Sequence, residues 1–113
     1  MKRISTHILD LALGKPASDV AVRLERREPS GWRLLASQKT DHDGRCIQLL
    51  PEGEDLSAGS YRLAFDTGSY YEAQTIDALH PVVEVTFQVR DGEVQFHIPL
   101  LLSPNGYTTY RGS

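Results

Sequence analysis

Cysteine is almost absent from this sequence: Cys46 is its only instance in 113 residues. A single thiol excludes a disulfide within the chain and a zinc site built from several cysteines. Such sparse use of cysteine is typical of a reducing compartment, and we expect Cys46 to be a small buried apolar residue. We therefore predict a cytoplasmic protein.

Long hydrophobic runs are also missing. The longest apolar stretches span only a few residues, far below the ~20 that a membrane-spanning helix needs. The first three residues, Met1 to Arg3, resemble the start of a signal peptide, but Asp10 and Lys15 interrupt the apolar segment that would have to follow. We therefore predict neither a membrane protein nor an exported one.

The sequence has no excess of positive charge, because it contains 12 Lys and Arg but 15 Asp and Glu. Its formal net charge is −3. The basic residues are scattered along the chain, which argues against a nucleic-acid partner. Nucleophile-elbow, phosphate-loop and dinucleotide motifs are lacking, so the common cofactor enzymes are disfavoured. No two histidines have the spacing of a metal-ligand pair on one element, so we expect no metal and no cofactor.

Short alternating segments separated by Gly, Pro and Asp fill the rest of the chain. Its length favours a single domain over residues 1–113. Eight segments have strand-like patterns: 4–12, 20–28, 32–40, 46–50, 60–66, 82–89, 94–101 and 106–111. Only residues 70–76 favour a short helix. The pattern predicts an all-β protein, an antiparallel sandwich of two sheets.

Two pairs of these strands are predicted to form hairpins. Segments 20–28 and 32–40 flank a Pro-Ser-Gly turn. Segments 82–89 and 94–101 flank a turn that contains Asp91-Gly92. Short connections of this kind join antiparallel neighbours.

Residues 97–113 form an unusual ending, since histidine, two tyrosines and arginine are concentrated where a loose polar tail is the common finding. This ending is either a strand held to the sheet for stability alone or part of a functional site. In segment 94–101, Phe96 and Ile98 alternate with Pro99 and Leu101, so both faces are apolar. A two-layer sandwich has no third layer to cover the second face, which predicts an oligomer interface that contains His97.

Histidine and arginine are the residue types in this sequence that are suited to catalysis or ligand binding. A neutral imidazole can act as a base near pH 7, so all four histidines are candidates. A histidine on a short strand, such as His7, is more often structural than catalytic, whereas His42 and His80 are expected to be exposed loop residues. His97 is expected inside the oligomer interface. Arg45 and Arg111 follow or precede a glycine and either clamp an anionic or planar ligand or are simply solvated.

Several stretches together carry a family resemblance. They are residues 5–10, 12–17, 43–46, 97–104 and the closing Tyr110-Arg111-Gly112-Ser113. In these the chain resembles the transthyretin-related 5-hydroxyisourate hydrolases over its whole length. The closing tetrapeptide, the two histidines and the arginine distinguish those hydrolases from the transthyretin hormone carriers.

The resemblance implies a transthyretin-like antiparallel β-sandwich of two four-stranded sheets, assembled as a homotetramer with the sites in a channel. It implies hydrolysis of 5-hydroxyisourate to 2-oxo-4-hydroxy-4-carboxy-5-ureidoimidazoline in urate degradation, without a metal. The implied catalytic residues are His7, Arg45, His97 and Ser113. The implied substrate-binding residues are His7, Arg45, Thr108, Tyr110, Arg111 and Gly112.

Either histidine could be the general base, with the other orienting the substrate. Asn105 departs from the tyrosine that is common in the family, which affects the channel mouth and leaves the histidines untouched. The alternative function is a transthyretin-like protein that binds a small ligand without turnover.

Overall fold

A computed structural model describes residues 2–113 as a protein made largely of β-strands. Met1, where the segment resembling a signal peptide begins, lies outside the described residues. In chain order the elements are β1 Arg3–Asp10, β2 Lys15–Pro16, β3 Ala21–Glu28, β4 Gly31–Lys39, β5 Arg45–Cys46, β6 Gly59–Phe65, α1 Thr67–Glu72, β7 Val83–Val89, β8 Gln95–Ser103 and β9 Gly106–Thr109. Within residues 2–113, no helix has the length and apolar character needed to cross a bilayer.

The strands form two sheets that share one core. The first sheet has the order β2-β1-β8-β9, with β5 also paired to β1, and the second has the order β4-β3-β6-β7. The predicted two-layer sandwich with one short helix is confirmed, but the first sheet has five strands where four were expected. The extra strand is β2, which folds back so that Leu9 pairs with Pro16 and Asp10 with Lys15, at a place where the sequence indicated only a turn.

Alternation along each strand separates a core face from an outer face. In β1, Ile4 and Ile8 are completely buried, as are Phe65 of β6 and Leu100 of β8. Burial of a side chain of this size contributes about 1.5–3 kcal/mol. The alternate residues Ser5 and His7 are only half-buried and lie on the outer face of the first sheet.

The two predicted hairpins have different outcomes. The β3–β4 hairpin is confirmed. The second is wrong, because β7 pairs with β6 in the second sheet whereas β8 pairs with β1 and β9 in the first. The turn at Asp91-Gly92 does form, with Gly92 at a φ of 85° that favours glycine. A turn signal predicts a local reversal but not the partner of the next strand, and here the chain crosses between the sheets.

The pairing of β1 with β8 is parallel, which departs from the fully antiparallel arrangement expected. It extends from Arg3–Gln95 to Asp10–Leu102. A parallel pair needs a long crossover, and here nearly the whole domain serves as that connection. The consequence for the site is that Ser5 lies directly opposite His97.

Three predicted boundaries also shift. The strand expected at 46–50 is reduced to the two residues of β5. The helix begins at Thr67, earlier than the predicted 70, because the Asp66 side chain caps it by accepting a hydrogen bond from the Ser69 N–H at 3.1 Å. The last strand ends at Thr109, after which Gly112 forms an isolated bridge with His97.

Candidate active site

The outer face of the first sheet brings together the side chains that carry chemistry. Ser5 and His7 are two residues apart in β1 and so point to the same side. His97 of β8 pairs directly with Ser5, and Arg45 of β5 pairs directly with His7. Directly paired residues share a face of a sheet, so these four polar side chains lie on the same face near the middle of this one.

His97 is held at one edge of its ring by Ser5. The hydroxyl oxygen of Ser5 lies 2.8 Å from Nδ1 of His97. Within residues 2–113, Nε2 of His97 has no hydrogen-bond partner. Burial lowers the pKa of His97 below its usual 6.5, and the nearby Arg45 guanidinium and His7 imidazole lower it further. The ring is therefore mainly neutral at pH 7. In the tautomer in which Nδ1 donates to Ser5 Oγ, Nε2 is the unprotonated nitrogen and can accept a proton.

His7 is anchored differently. Its Nε2 lies 2.8 Å from the backbone carbonyl oxygen of Asp43. Because a carbonyl oxygen can only accept, Nε2 of His7 carries the proton and donates it. In the neutral ring Nδ1 is then the unprotonated nitrogen.

Arg45 projects from a tight turn that the sequence specifies in detail. The Asp41 carboxylate accepts hydrogen bonds from the backbone N–H groups of Asp43 and Arg45, each at 2.9 Å. Both bonds lower the pKa of the Asp41 carboxyl group, and the bond from Arg45 has the larger effect. Gly44 has a φ of 76°, and a Cβ there would lie 2.5 Å from the carbonyl oxygen of Ile8. Only glycine fits, so this turn fixes the backbone from which Arg45 extends.

The chain ending lies against His97. The N–H of Gly112 donates to the carbonyl oxygen of His97 at 2.7 Å. A Cβ on Gly112 would lie 2.6 Å from Cδ2 of His97 and 3.1 Å from Cγ of Pro99. The tail can pack this closely on the imidazole only because residue 112 is glycine.

A cavity of about 330 Å³ opens beside His97. Five of the predicted site residues line it: Arg45, His97, Arg111, Gly112 and Ser113. The other lining residues are Arg3, Ser5, Thr6, Cys46, Ile47, Gln95 and Phe96. Burial raises the pKa of the Cys46 thiol to about 11, so it stays protonated at neutral pH and is a poor nucleophile.

Three predicted site residues lie outside the lining of this cavity. His7 is on the same sheet face, next to Arg45. Thr108 is exposed on β9, where it pairs with Leu101. Tyr110 is 54% exposed and borders a second groove, formed with Phe87 and other residues at the open edges of the two sheets. In a single protomer these three residues do not line the cavity that the other five predicted site residues line.

Two residues that contact members of the site escaped the sequence analysis. Ser5 shares a strand face with His7, a relationship visible in the sequence, but its contact with His97 depends on the parallel pairing of the two chain ends. Glu93 was seen only as part of a hairpin turn, yet it forms an ion pair with Arg111. The expectation for His80 was also incomplete, since this residue is half-buried with its ring edge-on to Tyr107, 5.2 Å between centroids.

One group of potential metal ligands occurs among residues 2–113, formed by Asp41, His42 and Asp43 at the surface. An oxygen of Asp41 already accepts the two backbone hydrogen bonds of the turn. Exposed acidic groups of this kind are common without an ion. This turn therefore serves to position Arg45 and is not assigned as a metal site.

The strand order and the polar centre on one outer sheet face define a transthyretin-like sandwich. Residues 4–112 match the family model described as HIUase/Transthyretin family, and the chain belongs to that family.

Individual proteins agree with this assignment. A protein of Caulobacter vibrioides named 5-hydroxyisourate hydrolase is 45% identical over 117 positions, covering 100% of both chains. The structure of 5-hydroxyisourate hydrolase from Klebsiella pneumoniae superimposes with a TM-score of 0.87 at 35% identity, covering 100% of each chain. The structure of transthyretin from Sparus aurata superimposes with a TM-score of 0.90 at 34% identity, covering 99% of this chain and 97% of that one.

Proposed function

We propose that this protein hydrolyses 5-hydroxyisourate. The observation that carries the proposal is a neutral imidazole, His97, that faces a cavity also lined by Arg45 and by the Gly112-Ser113 ending. Overall fold does not separate a hydrolase from a carrier, because the two solved structures are about equally similar to this one. The polar groups lining the cavity favour catalysis.

In the proposed reaction, His97 is the general base. Nε2 takes a proton from a water molecule as the water oxygen attacks a ring carbonyl of the substrate. His97 is better placed than His7, since His97 lines the cavity and His7 does not. The imidazolium then returns the proton to the departing ring nitrogen as the C–N bond breaks, which opens the ring to a carboxylic acid.

The tetrahedral intermediate carries a negative charge on the former carbonyl oxygen. Arg45 lines the cavity and supplies a permanent positive charge to stabilise this oxyanion. With this charge and a base in place, the reaction requires no metal, so we propose metal-independent hydrolysis. Ser113 and Gly112, in the cavity wall, are proposed to orient the substrate.

A homotetramer is also part of the proposal. The outer face of the first sheet carries half-buried Leu9 and Leu101 beside Pro99, an apolar surface around the polar centre. In an isolated protomer Leu9 and Leu101 remain partly open to water, although Pro99 is already buried. Other copies would cover it, enclose the cavity and bring Thr108 and Tyr110 of a neighbour within reach of the substrate. Light scattering at micromolar concentration should give four times the chain mass; a stable monomer would contradict this arrangement.

The compartment proposed for this reaction is the cytoplasm. The supporting observation is that Cys46 is a free, buried thiol.

The deciding experiment generates the substrate in place. Urate and urate oxidase are mixed with the protein, and the decay of 5-hydroxyisourate absorbance is followed. The protein should accelerate this decay well above the spontaneous rate, and His97→Asn should remove most of the acceleration. If the wild-type protein binds the compound without accelerating its decay, the carrier function is correct instead.

A further inference from the structure

The chain ending is attached to the site at very few points. Regular pairing of β9 with β8 stops at Thr109, whose hydroxyl donates to the carbonyl oxygen of Pro99 at 2.8 Å. The next backbone hydrogen bond is that of Gly112 to His97. Between these two points, the side chain of Arg111 makes the connections that hold the tail to the rest of the protein.

Among residues 2–113, the Arg111 side chain makes two hydrogen bonds and one ring contact, all with the region where the chain enters β8. Its Nη1 donates to the Glu93 carboxylate at 2.9 Å, and its Nη2 donates to the carbonyl oxygen of Gln95 at 3.1 Å. Its guanidinium carbon lies 4.3 Å from the ring centroid of Phe96. The guanidinium group therefore lies at the cavity wall, but its hydrogen bonds and its ring contact are all made with residues of the protein.

Glu93 is itself fixed by the turn that crosses between the sheets. Its other carboxylate oxygen accepts from the backbone N–H of Arg90 at 2.9 Å, and its own N–H donates to the carbonyl oxygen of Arg90 at 3.2 Å. The hydrogen bond from Arg111 lowers the pKa of Glu93, which keeps the carboxylate ionised at neutral pH. The turn thus presents a preformed anion to the arginine.

From this geometry we infer that Glu93 is a positioning residue: by holding Arg111, it docks Gly112 and Ser113 against His97 and so completes the cavity wall. It touches neither the cavity nor the imidazole and acts through the tail. Its importance for activity rests on the proposed function, but its effect on tail docking does not.

The test measures docking and activity separately. Docking is read from the amide exchange rate of Gly112 in protein labelled with [15N]glycine, because that N–H is bonded to His97 only when the tail is docked. Glu93→Gln should accelerate this exchange up to about fivefold, the range for loss of a partly exposed ion pair. Glu93→Arg, which places two positive charges together, should accelerate it more and should lower kcat/KM for hydrolysis severalfold.

Asp91 provides a matched control. It lies two residues earlier in the same turn, is exposed, and its side chain has no hydrogen bond or ion pair among residues 2–113. Asp91→Arg should leave both the Gly112 exchange rate and kcat/KM at wild-type values. Thermal unfolding of all variants checks that the sandwich is intact.

Rescue distinguishes a specific ion pair from a general disturbance of the turn. The double variant Glu93→Arg with Arg111→Glu restores opposite charges and should return the Gly112 exchange rate towards the wild-type value. If Glu93→Arg and Asp91→Arg change the exchange rate equally, or if the double variant is no better than Glu93→Arg, the inference is wrong. If exchange responds as expected but wild-type protein hydrolyses no 5-hydroxyisourate, the docking role stands and the proposed function fails.

Discussion

The hydroxyl of Ser5 and the imidazole of His97 are joined by a hydrogen bond, with Oγ 2.8 Å from Nδ1. This contact fixes both the rotation of the ring and the direction of Nε2. An imidazole that acts as a base works best when a second group holds it in one orientation, because the proton must be transferred along a narrow range of angles.

Ser5→Ala should therefore lower kcat about fivefold to tenfold, the effect of losing roughly one hydrogen bond in the transition state. Ser5→Thr, which keeps the hydroxyl, should recover part of the rate. Ser60→Ala is a suitable control, since Ser60 donates to Gln88 at 3.0 Å in the second sheet. Equal rates for Ser5→Ala and wild type would mean that Ser5 does not orient the base.

The pH dependence follows from the lowered pKa of His97. In the proposed mechanism the neutral ring is the active form, so kcat/KM should fall as pH drops through the His97 pKa, with a midpoint below 6.5. Folding stability should fall in the same direction, since between the lowered pKa and 6.5 the unfolded chain binds the proton and the folded chain does not. A midpoint at or above 6.5 in an NMR titration of the imidazole would contradict the assigned environment.

Arg45 is one cause of that lowered pKa. Arg45→Gln removes a positive charge near His97, so the pKa of His97 should rise in the same NMR titration. Arg23→Gln, an exposed change on the second sheet, should leave it unchanged. A His97 titration that is identical in all three proteins would show that Arg45 and His97 do not interact electrostatically.

Gly112→Ala tests the contact between the tail and the imidazole. Its methyl group would lie 2.6 Å from Cδ2 of His97, so either the tail or the ring must move. We expect a fall in kcat/KM of about tenfold or more, because small misplacements of catalytic groups have large effects on rate. Gly106→Ala is the matched control, since its Cβ would meet only Ser103 Oγ, at 3.9 Å. Similar rates for the two variants would refute the close packing.

Stability outside the site depends on a buried carboxylate. Asp10 is 1% exposed; one of its oxygens accepts from the backbone N–H groups of Ala12 and Leu13, and the other accepts from the Tyr70 hydroxyl at 2.7 Å. Tyr70→Phe leaves that second oxygen without its partner, so the free energy of unfolding should fall by about 1–3 kcal/mol. Tyr107→Phe, at a 41% exposed ring, should have little effect. Chemical denaturation of both variants makes the comparison.

What the sequence predicted correctly was local. The β3–β4 hairpin follows from alternation on both sides of a short turn, and the sandwich follows from the number and spacing of such segments. The β7–β8 hairpin failed although its turn signal was equally strong, because strand partners are selected by packing across the whole chain. In particular, β8 buries Phe96, Ile98 and Leu100 in the core beside β1.

The candidate site was predictable only in part for the same reason. Pattern alone offered four histidines in separate segments, and it was the family resemblance that selected His7, Arg45 and His97. The structure brings these three onto one sheet face. Their contacts with Ser5, Asp43 and Asp41 depend on register and turn geometry, which residue types do not reveal. The burial of Pro99 and the half-burial of Leu101 agree with a strand that is apolar on both faces.

The parallel pairing of β1 with β8 also has a kinetic consequence. Ser5 and His97 are 92 residues apart in the chain, so their contact closes one of the longest loops that this protein can make. Loops of that length close late, because the chain loses conformational entropy on closure before the stabilising contacts are complete. During refolding, the hairpin of β3 and β4 can form early and independently, whereas catalytic competence should appear only when the two chain ends meet. Recovered activity would then report the last step of folding.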